Sequence, residues 1–326
     1  MQTFHALRKS VSRTGSAVLL AATISLSSAG TAGIASATAA HTDGSTIDSS
    51  AAQSMGSLDG SRAASKVMND PACVPAAEHP RPVVFLHGTS ENIGAFTALA
   101  KELTAEGYCT WGENYGMGGT SAQGLLPFLG GVTDINNSAE REAAFIEQVL
   151  STTGAEKVDL VGHSQGGLLT KLIIEKLGHA DEVGRVVTMG ASFHGTDYNG
   201  MGQNLRKWIT ATPAFAEWIL SEAAAQQIIG SKFLAETNQL PDTHAGITYT
   251  SLYSPVDTTV TPNSSSFLEE VAGAHVANVD TSLACPATGR VQHNSMAGNK
   301  TYIALTKWGL ERAAEDNMPK PGTICS

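Results

Sequence analysis

Charge is scarce in this chain: only 15% of its 326 residues are Asp, Glu, Lys or Arg, and the net charge is −10. A chain without a basic surplus has no electrostatic footprint for nucleic acid or for an anionic membrane surface. Long apolar runs are missing as well. Past the first forty residues no stretch approaches the length that crosses a bilayer, so no integral membrane span is expected. Cysteines number four, Cys73, Cys109, Cys285 and Cys325, and their spacings fit no zinc pattern. No aspartate pair compels a calcium site, and neither metal nor cofactor is expected. An Arg-Arg pair is also absent, which favours a general secretory route over a twin-arginine one.

What is present begins with an address. Arg8, Lys9 and Arg13 precede the apolar run Ala17–Ile24, and Ala35-Ser36-Ala37 and Ala37-Thr38-Ala39 offer small-residue cleavage sites. Residues 1–39 therefore read as a signal peptide, and the mature protein as secreted. Residues 40–70 are rich in Ser, Ala, Gly and Asp and read as a disordered leader or propeptide. The catalytic domain is expected over 71–326, long enough for one large α/β domain. In an exported protein an even cysteine count reads as two disulfides, with three pairings possible. Cys73–Cys109 and Cys285–Cys325 are favoured because each pair flanks a local piece of the fold. Either closed loop gains about 4 kcal/mol in the chain-entropy model.

The chain is organised around Gly162-His163-Ser164-Gln165-Gly166. Lys157–Val161 before it is a short apolar run, a buried strand. Gly166–Ile174 after it has apolar residues at helical spacing. Among 33 glycines a G-x-S-x-G can arise by chance, but strand, pentapeptide and helix together form a nucleophile elbow. Ser164 is the expected nucleophile. Further strands are expected at Pro82–Leu86, Tyr108–Trp111, Gly184–Gly190 and Ile247–Ser254. Helices are expected at Ala95–Leu103, from a Ser138 cap to Leu150, and at Thr301–Arg312. This alternation predicts an α/β fold with a mostly parallel central sheet and helices on both faces. Sites in such sheets form outside the carboxyl ends of strands.

Residues 198–245 break the alternation and read as a helical cap or lid insertion. Trp208, Phe215, Trp218 and Ile219 are the expected acyl-binding liners, ordinary packing on the sheet edge being the alternative. A serine hydroxyl needs a base, and the base an orienting acid, in the chain order Ser, acid, His. Asp257 follows the Ile247–Ser254 strand within a turn, so it is the expected acid. An Asx-turn cap is its other role. Two histidines follow, His275 in an apolar stretch at a strand start and His293 in a polar loop; His293 is preferred as the base. The oxyanion hole is expected from the backbone amides of Gln165 and Thr89.

Phe85-Leu86-His87-Gly88-Thr89, Gly162–Gly167 and Leu252–Val260 together resemble the secreted bacterial lipases of the α/β-hydrolase fold, the actinobacterial branch most closely. The same segments are similar to Candida antarctica lipase B. The resemblance supports the Cys73–Cys109 pairing, Thr89 in the oxyanion hole, and Asp257 with His293. It implies a triacylglycerol lipase acting on lipid or ester substrate at an oil–water interface, through an acyl-Ser164 intermediate; a monomer is expected. The alternatives are a short-chain esterase, a polyester hydrolase, an acyltransferase, or a non-catalytic binding protein on the same fold.

Overall fold

In a computed structural model the described residues are 66–320 together with Ile324 and Cys325. The expected signal peptide and nearly all of the expected leader lie outside them. The folded part starts earlier than residue 71, however. Met68 is 3% exposed in the core, and Asn69 both donates to the Gly112 carbonyl and accepts from its amide. A Ser/Ala/Gly-rich composition hid this anchor because it consists of one apolar side chain and one backbone clamp.

Six strands form one parallel sheet among the described residues: β1 Val83–Leu86, β2 Thr110–Gly112, β3 Val158–His163, β4 Val183–Met189, β5 Thr248–Tyr253 and β6 His275–Asp280. Their spatial order is β2-β1-β3-β4-β5-β6, every pair parallel. A strand covered on both faces needs no polar alternation, and β1 and β3 are buried throughout. Successive side chains still point to opposite faces. Val84, Leu86, Leu160 and Val186 enter one core with helices α2 (Ile135–Thr153) and α3 (Gln165–Lys171). Val83, Phe85, Val161 and Val187 enter the other. That second core is covered by α1 (Thr97–Ala105) and by the last helix.

Helix α2 starts earlier than a Ser138 cap would allow. Asp134 is the cap, its side chain accepting from the Asn137 amide, while Ser138 is buried inside the helix and bonds back to the Asp134 carbonyl. Gly154, at φ +69°, ends it. The 198–245 insertion carries α4 (Gly202–Ala211), α5 (Pro213–Leu220), α6 (Glu222–Gln226) and α7 (Lys232–Thr237). After β6 come α8 (Thr281–Ala284) and α9 (Lys300–Glu311), the latter packed on β4 and β5. Disulfides join Cys73 to Cys109 and Cys285 to Cys325, with Cα–Cα separations of 5.8 and 5.4 Å.

Candidate active site

The turn between β3 and α3 explains its own sequence. A Cβ on Gly166 would fall onto the Leu86 carbonyl oxygen, and one on Gly162 would sit 2.6 Å from the Gly166 carbonyl carbon. Only hydrogens fit at both positions. Between them Ser164 adopts φ +54° and ψ −119°, a strained conformation for a non-glycine residue. Its amide donates to the Met189 carbonyl at 2.9 Å, which fixes the turn to the end of β4.

Turns after two further strands complete the site. The turn after β5 carries Asp257, whose two oxygens do different work. Oδ1 accepts from the Thr259 and Val260 amides at 2.7 and 3.0 Å, the turn-capping role open from the sequence. Oδ2 lies 2.7 Å from His293 Nδ1. Burial by itself would raise the Asp257 pKa, but the bond to His293 and the two amides hold the carboxyl below its usual range. His275, the alternative base, opens β6 opposite Thr248 and is exposed. It is thus at the amino end of the sheet, a strand's length of about 17–20 Å from the Asp257 turn.

The turn after β1 brings Thr89, whose hydroxyl accepts from Gln165 Nε2 at 3.0 Å and Gln227 Nε2 at 2.8 Å. Gln227, from the cap insertion, also accepts from the Ser192 hydroxyl at 2.7 Å. Neither residue was expected from the sequence, since a lone Gln or Ser in a loop carries no pattern. His87 is buried and stacks on Tyr115 at 4.1 Å. Burial pushes its pKa down to about 4, so the ring is neutral and shapes the loop.

Thr89, Ser164 and His293 border one cavity of about 150 Å³. Ser90, Ser192, Thr196, Tyr198, Gln227, Val260 and Asn294 are among the residues completing its wall, whose exposed surface is more apolar than polar. Asp257 stands behind His293. The expected acyl-binding liners are not on this wall. Trp208, Phe215 and Trp218 instead form an aromatic row on α4 and α5, with centroids 5.9 and 6.2 Å apart. Phe215 is 55% and Trp218 48% exposed, and Ile219 is half-buried. Apolar periodicity found these helices but could not say which way the apolar face turns.

A family model described as Lipase (class 2) matches residues 80–301. The chain belongs to the class 2 lipase family. Two curated relatives, the triacylglycerol lipases of Pseudarthrobacter phenanthrenivorans and Burkholderia plantarii, are each 36% identical to this class 2 lipase over 72 residues. The match covers 22% of this chain, so it spans only about a fifth of either relative's length (22% and 20%). Among solved structures, Bacillus licheniformis lipase BlEst2 in its propeptide form has a TM-score of 0.53 at 19% identity, covering 77% of this chain and 55% of that one. Aspergillus fumigatus lipase B has a TM-score of 0.50 at 18% identity, covering 76% and 60%. At such identities the likeness is one of fold. It agrees with the parallel sheet described above.

Among the described residues no helix is long and apolar enough to cross a membrane. One surface group, Glu147, His179 and Glu182, brings possible ligand atoms within 4.8 Å of one another. His179 Nδ1 already lies within hydrogen-bond distance of Glu182 Oε2, at 2.8 Å.

Proposed function

We propose that this chain is a secreted carboxylic-ester hydrolase, a triacylglycerol lipase working through an acyl-Ser164 intermediate. The observation that carries the reading is the 2.7 Å Asp257–His293 bond, with His293 and Ser164 facing one cavity. His293 Nε2 takes the Ser164 proton as the oxygen attacks the ester carbonyl, and Asp257 holds the required tautomer. The oxyanion is received by the amides of Gln165 and Thr89. His293 then protonates the leaving alkoxide, and water drawn through the same base releases the acid. Secretion is supported by the two disulfides, which persist in oxidising compartments. The motif resemblance to Candida antarctica lipase B and to actinobacterial lipases supports the same substrate class.

A second reading, an esterase of short-chain esters, is favoured by the cavity's volume. About 150 Å³ is the volume of an engineered cavity that takes benzene, far smaller than a long acyl chain. The test is hydrolysis of emulsified long-chain triglyceride beside a soluble short-chain ester, with the mature protein and Ser164→Ala. Loss of emulsion activity in the variant supports the lipase. Activity confined to the soluble ester selects the esterase, and full activity in Ser164→Ala overturns both.

A further inference from the structure

Beside the cavity lies a buried ion pair that the reaction above does not use. Glu91 Oε2 is 2.9 Å from His163 Nδ1, with side-chain exposures of 11% and 1%. The same oxygen accepts the Gly88 amide at 2.8 Å. On the other side of the ring, His163 Nε2 is 3.1 Å from the backbone carbonyl of His293. A carbonyl only accepts, so Nε2 carries a proton. Nδ1 faces a carboxylate oxygen that already accepts one N–H, which favours a proton there too. The pair is thus imidazolium and carboxylate. Electrostatics agree. Burial would push the His163 pKa down, yet the charge and hydrogen bond of Glu91, with the His293 carbonyl, hold it above its ordinary value. Burial would raise that of Glu91, and His163 with the Gly88 amide holds it low.

The sequence makes room for this contact. A Cβ on Gly88 would stand 2.8 Å from Glu91 Oε2 and 3.1 Å from His163 Nδ1, so only glycine admits the carboxylate. As packing alone the pair is a poor choice, because apolar residues of similar volume often serve a buried site as well or better. What apolar residues cannot do is hold two backbone groups from opposite sides of the site. The Gly88 amide belongs to the turn carrying Thr89. The His293 carbonyl belongs to the turn carrying the base.

We propose that Glu91 and His163 are positioning residues for ester hydrolysis, an ionic clamp that fixes the Thr89 oxyanion turn to the His293 turn. The proposal rests on the catalytic reading above. With the Gly88 amide committed to Glu91, the next amide, that of Thr89, is the one left to meet an oxyanion. The clamp also has an electrostatic consequence. The His163 and His293 rings are 4.8 Å apart, and Glu91 lies across the His163 ring from the His293 turn. The ionisable groups around His163 are Glu91, His87, Asp257 and His293. His87 is neutral and Asp257 anionic, so the clamp places one fixed cation, His163, beside the His293 ring.

The experiment compares wild type, Glu91→Gln, His163→Gln and the double variant, with Ser164→Ala as control. Melting temperature is read first, then kcat and KM on a soluble ester between about pH 5 and 9. Glu91→Gln is expected to lower kcat about 10- to 100-fold, the cost of slight misplacement, with KM little changed. His163→Gln is expected to lower kcat by a similar factor, again with KM little changed. The double variant should lose no more than the worse single one, because both residues act through one bond. Wild-type kcat in the single variants would overturn the clamp, as would strictly additive losses. Should Glu91→Gln not fold, His163→Gln decides alone, since it keeps the Glu91–Gly88 bond. Activity that survives Ser164→Ala defeats the catalytic reading itself, whereas Ser164-dependent activity indifferent to these variants defeats only the clamp.

Discussion

Asp257 Oδ2 meets His293 Nδ1 at 2.7 Å, while Asp257 Oδ1 caps its own turn through the amides of Thr259 and Val260. One carboxylate thus holds both a backbone turn and an imidazole. Asp257→Asn separates the two roles, because an amide oxygen still caps the turn but the side chain no longer enforces the His293 tautomer. The variant should fold and lose about four orders of magnitude in kcat. The Asp257 carboxyl is held below its ordinary 3.8. Its stabilisation is therefore present above that value and lost as pH falls through the lowered one. Steady-state kinetics with a thermal melt checks this; kcat within tenfold of wild type would refute it.

Glu142 predicts an unusual pH dependence of stability. It is fully buried on α2, and neither carboxylate oxygen has a hydrogen-bond partner. Burial first, then the charge of Glu113, pushes its pKa well above 4.5, against the pull of Arg141. The folded state keeps a proton that the unfolded chain gives up near 4.5. Each pH unit above that value therefore takes about 1 kcal/mol from stability until the buried group ionises. Glu142→Leu should raise the melting temperature by several degrees at about pH 8 and by much less at about pH 5. Equal shifts at both would contradict the assignment.

The aromatic row on the cap has a surface role to test. Phe215 and Trp218 are about half exposed, so replacing both with Ser should barely move the melting temperature. Hydrolysis of a soluble short ester should also be unchanged, since neither residue borders the Ser164 cavity. At an oil surface each ring would bury apolar area worth roughly 1 kcal/mol or more. Activity on emulsified triglyceride should accordingly fall about tenfold. A parallel fall on both substrates would place these residues in the core of the reaction instead.

The elements legible in the sequence were those whose cause is local. β1 and β3 are short apolar runs, and the elbow needs glycine at positions 162 and 166 for steric reasons the motif encodes. Loop order placed Asp257 and His293 in contact range. Between His293 and His275, only sheet register discriminates: it sets His275 beside Thr248, while the Asp257 bond goes to His293. What stayed hidden is tertiary. The α2 cap moved to Asp134 because its oxygen, and not that of Ser138, reaches a free amide. Phe215 and Trp218 on α5 are exposed, and none of the aromatic residues of α4 and α5 lines the cavity. Gln227, Ser192 and the Glu91–His163 pair meet their partners across 35 to 138 positions of chain, and no spacing rule joins them.

The central claim is that Ser164 is a nucleophile activated by His293. The most direct measurement is covalent labelling with a fluorophosphonate, followed by peptide mass analysis, on wild type, Ser164→Ala and His293→Ala. The account predicts one adduct on the peptide containing Ser164, none in Ser164→Ala, and labelling slowed by several orders of magnitude in His293→Ala. Folded wild-type protein that takes no label, or takes it elsewhere, would contradict it.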